Sequence, residues 1–417
     1  MNWTHVGFRS LGRIGIGPIL LLAFVVRLVP LIVHHSILSL PQGTADAVGF
    51  ERKAWSMSSG DRGAVIDHLG NGGDFLAYLG SFLYDVVGRQ PAAFGLGMLV
   101  LGVALVFVVY RIVFEITEDA AAGRVAGLVA AVFPQLVLHS VLFLREIPVA
   151  FFLAVGIWGV VRFLKHNSLP GLAVFILAVA VATLFHTGAV LALPGVLLGV
   201  LFSTSRLERR AFSRYAVKTA GALGLLGAIV VMDQTGFGLG KFGGSFDSAV
   251  DAFESGEMRA TAGGAAYPEW MRIRGGLASE GWKIPIRFAA FLFAPLVPFL
   301  VQGVSHLLGV LDAALYLLMF GILVRNWRTI VGNKVLLTLL VMGLTLAFVY
   351  ALGVSNFGTA IRHRAKIVPI FIVLSVSAVA ASASRAAQGA CVPHMHNWIK
   401  ASRPSRGPTP RPGGVTR

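Results

Sequence analysis

The chain has a single cysteine, Cys391, so no disulfide can form within it. Charge is scarce too. Asp, Glu, Lys and Arg make up 13% of its 417 residues, where soluble domains carry about a quarter. Acids are the scarcer sign, 19 against 35 Lys and Arg. The stretch "GFGLGKFGG", 236–244, is glycine-rich, but no strand precedes it and no Walker lysine–hydroxyl pair follows. It reads as a loop and excludes a P-loop nucleotide site. Cys391, His394 and His396 lie close together without a fourth ligand, so no metal site is expected. No gating-charge helix and no inverted repeat stand out. No secretory leader is expected either, because the first apolar run is long and lacks a small-residue cleavage site.

Apolar sequence takes the place of charge. Hydrophobic residues make up 56% of the chain and the mean hydropathy is +0.77. Runs of about 20 apolar residues recur along its length, the mark of a multi-pass helical membrane protein. The expected fold is all-α and polytopic, with about ten transmembrane helices within bounds of 9–12. The expected spans are 14–34, 92–114, 124–141, 147–164, 170–185, 187–203, 213–232, 306–325, 334–352 and 366–383. The run "RFAAFLFAPLVPFLVQ", 287–302, is short and carries two prolines, which break helices. It is expected to lie as a re-entrant or interfacial helix on the outer side.

Net charge of +16 would suit nucleic acid, but the Lys and Arg fall mostly in short loops and in the tail. They are therefore read as topology signals, with no nucleic-acid partner. "MNWTHVGFRSLGR", "RFLKHNS", "STSRLERRAFSR", "VRNWRTIVGNK" and the tail from Ser384 all belong inside by that rule. Ten spans satisfy them together and put both termini in the cytoplasm. Residues 1–383 then form one membrane domain with outer loops at 35–91 and 233–285. Residues 384–417 form a basic, disordered cytoplasmic tail rich in Pro, Gly and Arg.

One cluster defies the rule. In "SNFGTAIRHRAKIVPIFIVL", Arg362, His363 and Arg364 fall outside. The same face collects Asp46, Glu51 and Arg52 in "TADAVGFERKAW", Arg145 and Glu146 in "LFLREIP", and His186 in "LFHTGA". Ionisable groups at a membrane boundary are functional candidates. Arginine forks bind phosphate through paired hydrogen bonds, so Arg145, Arg362, His363 and Arg364 are candidates for gripping a diphosphate at headgroup depth. Asp46 and His186 are candidate catalytic groups, able to take a proton from an acceptor hydroxyl. Glu51, Arg52 and Glu146 are secondary candidates. Polyprenyl diphosphate leaves readily when cations stabilise it, so no metal or other cofactor is required. A capping role for Asp46 and a lipid-headgroup role for the arginines are the alternatives.

"FVVRLVPLI" followed by "DAVGFERKAW" resembles the opening of C-type membrane glycosyltransferases, with Arg27, Asp46 and Phe50 at the matching positions. "FLREIPVAFFLAVGIWGVVRFLK" followed by "ATLFHTGAVLALP" resembles bacterial polysaccharide polymerases of the Wzy and EpsG kinds. Arg145, His186, Arg362 and Arg364 are the positions that match there. These resemblances imply glycosyl transfer from a polyprenyl-phosphate- or diphosphate-linked glycan at the outer face, with repeat-unit polymerisation the leading reading. A polyprenyl-phosphate sugar transferase, an O-antigen-type ligase and a flippase of lipid-linked glycans are the alternatives. The partners implied are the lipid-linked glycan, membrane lipid and other polysaccharide-assembly proteins. Few charges lie deep in the spans, chiefly Arg27, Lys218 and Asp312, which disfavours transport.

Overall fold

Apolar runs in this chain become helices because a backbone in lipid must bond to itself. The computed structural model describes residues 15–68, 72–204, 223, 225–227, 266–273, 277–295 and 304–401. Its main helices are α1 (Ile16–Ser36), α2 (Asp46–Ser59), α3 (Gly72–Val87), α4 (Pro91–Thr117), α5 (Ala120–Val132), α6 (Pro134–His139), α7 (Glu146–His166), α8 (Leu169–Phe185), α9 (Ala192–Thr204), α10 (Ile284–Phe293), α11 (Val304–Arg325), α12 (Lys334–Leu352) and α13 (Phe357–Ala401). Among the described residues the only β pairing is an isolated bridge between Ala266 and Asn356. The protein is an all-α, multi-pass membrane protein. Among the described residues six helices have the length and apolarity to cross a bilayer, and Ala120–Val132, Leu169–Phe185 and Thr187–Leu201 are shorter apolar helices. The expected span 213–232 lies outside the described residues, apart from 223 and 225–227.

Helices α7, α12 and α13 are mostly buried and form the centre of the bundle, while α1 and α11 lie at its periphery. Helix α7 packs closely on α8 because two glycines meet. A Cβ on Gly159 would stand 2.5 Å from the carbonyl oxygen of Gly171, so small residues permit the backbone approach.

Several expectations need correction. The span expected over 124–141 is two helices, because Pro134 cannot donate the hydrogen bond that would continue α5. Arg27 takes the place of that donor. It is fully buried and donates to the carbonyls of Ala131 at 2.7 Å and Ala130 at 3.2 Å, and to Ser140 Oγ at 3.2 Å. The outer loop expected over 35–91 holds helices α2 and α3. Helix α13 runs past Ser384 to Ala401, where a disordered tail is expected, because alanine dominates "AVAASASRAAQGA" and favours helix. The run at 287–302 is helical only as the end of α10. At ten residues that helix rises about 15 Å, half a bilayer's hydrocarbon thickness. Residues 296–303 lie outside the described residues.

Glu51 ties α2 to the end of α3. Its carboxylate accepts both Arg89 Nε and Nη2 at 2.9 Å, and Tyr84 Oη at 3.2 Å. The Arg89 fork holds the Glu51 carboxyl below its ordinary value of 4.5. A depressed acid contributes stability above its unfolded value and loses it as pH falls through the folded one. Hydrogen exchange over 46–89 should therefore be faster in Glu51→Gln than in the native chain at pH 7, and the gap should close as pH falls through the depressed folded value, below 4.5. A gap that persists in acid would remove the assigned role.

Candidate active site

Asn356 begins the site. Its Oδ1 accepts from the backbone of Gly358 at 2.8 Å and Thr359 at 3.3 Å, capping α13. The first turns of α13 then carry Arg362, His363, Arg364 and Lys366. Successive helical residues point about 100° apart, so these four cannot share a direction. Arg362 and Lys366, one turn apart, share a face. Arg364 faces away from it.

The Arg362 face meets two other elements. Asp46 opens α2, and its carboxylate accepts from Arg362 Nη1. Glu146 opens α7 and is buried. Its Oε1 lies 3.2 Å from Arg362 Nε and Nη2, and 3.6 Å from Lys366 Nζ. Three segments distant in sequence thus meet through one guanidinium. Asp46 is half exposed while Arg362 and Glu146 are largely enclosed. The carboxylate of Asp46 is therefore the site's solvent-facing group.

Arg145 stands beside this triangle, its guanidinium 5.7 Å from the ring of Phe50. Gly73 makes room for that ring, since a Cβ there would come within 2.4 Å of Phe50 Cε1. Arg145 also lies within electrostatic reach of Glu146, Arg362, Asp46 and Tyr350. Arg145 Nε, Glu146 Oε2 and Tyr350 Oη have no hydrogen-bond partner among the described residues. Buried polar atoms are normally paired, so this end of the bundle retains capacity to bind.

His186 closes α8 and leads into a 3-10 turn over Thr187–Leu191. Its ring packs edge-on against His363 at 4.8 Å and Tyr350 at 5.4 Å, and His363 meets Tyr350 at 5.0 Å. Asp46, Arg145, Glu146, His186, Arg362 and His363 therefore gather at one end of the bundle. Residues 266–273 join them, since Tyr267 N donates to Ser355 O at 2.8 Å. The opposite end carries the basic loops. Lys165 pairs there with Glu118 at 2.7 Å, and Arg385 donates to the Thr329 carbonyl at 3.4 Å.

Three expected residues are placed elsewhere. Arg364 is fully buried against Asp312 of α11, Nε to Oδ2 at 2.9 Å, and donates to the Leu292 carbonyl at 2.8 Å. Glu51 is occupied by Arg89, and Arg52 is exposed on α2. Sequence reading omitted Lys366 and Tyr350 from the site. Lys366 was detectable, being one helical turn beyond Arg362. Tyr350 carries no local signal. Among the described residues no group of three or more His, Cys, Asp or Glu side chains converges as a metal site would.

With this geometry in hand, the likenesses to other proteins become informative. Residues 75–232 match the family model of dolichyl-phosphate-mannose-protein mannosyltransferases. No curated protein matches the chain by sequence. The apo oligosaccharyltransferase of Archaeoglobus fulgidus superposes with a TM-score of 0.52 at 15% identity, over 97% of this chain and 53% of that one. The chain thus spans about half the length of that enzyme, and at such identity the likeness is one of fold. Both likenesses are to enzymes named for glycosyl transfer, the first over residues 75–232 and the second in fold.

Proposed function

We propose that the chain transfers a sugar from a polyprenyl-phosphate-linked donor to an acceptor hydroxyl, at the outer face of a bacterial cytoplasmic membrane. The observation that carries this reading is the meeting of Asp46, Glu146 and Arg362 at one bundle end. In the reaction the bond from sugar C1 to the phosphate oxygen breaks and a bond from C1 to the acceptor oxygen forms. Arg362, with Arg145 and Lys366 nearby, offsets the charge left on the phosphate. Asp46 takes the hydroxyl proton. Glu146 orients Arg362 and Lys366 from beneath. His186 and His363 flank the site as further proton carriers. The three cations also favour a second reading, polymerisation from a diphosphate-linked glycan, because they exceed what one phosphodiester needs.

Lysine keeps the charge of arginine but not its fork. Arg362→Lys and Arg145→Lys should each weaken use of the lipid-linked donor by about 1–3 kcal/mol, the range for a lost charged hydrogen bond. Product formation would be measured in membranes at matched expression. Headgroup anchoring predicts no loss, because lysine binds lipid phosphate nearly as well. Normal rates in both variants would retire the clamp.

A further inference from the structure

Four residues other than glycine have positive φ among the described residues: Gln42 at 64°, Ala45 at 49°, Glu118 at 58° and Asn167 at 54°. Glu118 and Asn167 are left-handed C-caps of α4 and α7, a common way to end a helix. Gln42 and Ala45 end no helix. Ala45, with ψ at −105°, precedes α2. Strain of this kind persists only where surrounding contacts impose it, and it concentrates at functional sites. Both strained residues lie just before Asp46.

The contacts that impose it can be named. The Leu40 amide donates to His34 Nδ1 at 3.1 Å, fixing the start of the segment. Arg362 holds its far end through Asp46. Between them, Gln42 Oε1 lies 2.8 Å from His139 Nε2. His139 is fully buried, and its Nδ1 donates to the Gln135 carbonyl at 2.7 Å. A neutral ring has one donor and one acceptor nitrogen. With Nδ1 donating, a neutral ring can only accept at Nε2, which requires the Gln42 amide turned to present its N–H; a charged ring, or the other tautomer, donates from Nε2 to the Gln42 oxygen. Either form fastens the loop to α6, a rigid neighbour of the site. Nothing else found for Gln42 uses its side chain, and no α6 residue carries a role in the proposed transfer.

We infer that the Gln42–His139 hydrogen bond sets Asp46 against Arg362, so that Gln42 and His139 are positioning residues for the proposed base. The inference rests on the role proposed for Asp46. It does not require either residue to touch substrate.

The test uses the full chain in native membranes. Gln42→Met keeps side-chain length and removes the hydrogen bond. His139→Leu removes the other partner. Ala45→Gly removes the positive-φ penalty and leaves the loop on the same path with less strain to hold. Carboxylates are labelled with a water-soluble carbodiimide and an amine, and Asp46 is read by mass spectrometry. Its labelling should rise about two- to fivefold in Gln42→Met, the factor by which an exposed ion pair biases a contact, and should not rise in Ala45→Gly. Labelling of Asp61 and the thermal midpoint should stay constant, which a general loosening would not allow. Glycan product per copy should fall about 10- to 100-fold, as a misplacement near 1 Å can cause. The double variant Gln42→Met with His139→Leu should lose no more than the worse single, as partners in one bond do. Unchanged Asp46 labelling with unchanged product in Gln42→Met overturns the inference. If Asp46→Asn itself leaves product normal, the proposed function fails, and the labelling still decides whether the anchor exists.

Discussion

Asp46→Asn should lower sugar transfer by about 10²-fold or more, the usual cost of losing a general base. Asparagine keeps the volume of the side chain and an oxygen that can accept from Arg362, so α2 should stay in place. What it cannot do is take a proton. In the structure the Asp46 carboxylate is engaged by Arg362. A donor phosphate arriving at Arg362 competes for the same N–H groups and frees the carboxylate at the moment the acceptor hydroxyl needs it. Donor binding and base release would thus be one event. Product would be measured in membranes at matched expression, with the level of folded chain as control. Near-normal product would return Asp46 to the role of a helix-opening acid, and the proposed chemistry would lose its base.

The second large effect is on stability. Asp312 and Arg364 are both fully buried, and their side chains meet at 2.9 Å inside the bundle. Tyr316 Oη donates to the Arg364 carbonyl at 2.9 Å, tying α11 to α13 at the same level. Removing one member of a buried pair strands the other charge, at a cost of about 3–5 kcal/mol. Asp312→Leu should therefore unfold at a markedly lower temperature in detergent. Replacing both members with apolar residues of similar volume often costs little, so Asp312→Leu with Arg364→Met should recover most of that loss. If the double variant is as unstable as Asp312→Leu alone, the pair is not what makes the single change harmful. The double variant should also keep its product yield, since Arg364 does not reach Asp46. Lost product at full stability would restore Arg364 to the substrate clamp.

Much of this architecture was legible along the chain. Apolar runs of about 20 residues have one solution in lipid, and most helices among the described residues fall where the runs are. The unusual polar residues were also legible as a group. Asp46, Glu146, His186 and Arg362 each stand at a helix end next to an apolar run, and alternation of direction through successive spans puts those ends together. Residue type then indicated phosphate and proton chemistry.

Other features depended on distance rather than pattern. Pro134 announces a break, but only the packing of α1 shows that Arg27 bonds the carbonyls it leaves. "RHR" reads as one cluster, yet helical geometry divides it, sending Arg362 to Asp46 and Glu146 and Arg364 to Asp312. Glu51 and Asp46 look alike in sequence, five residues apart, and differ because Arg89 reaches one and Arg362 the other. Gln42 and His139 are ordinary residues in ordinary stretches, 97 positions apart. Helix formation is settled by contacts within a few residues, so composition and spacing determined it. Which charge meets which depends on the rotation and neighbours of each helix. Those are set by side-chain packing between segments tens to hundreds of residues apart, and only the tertiary structure decided them.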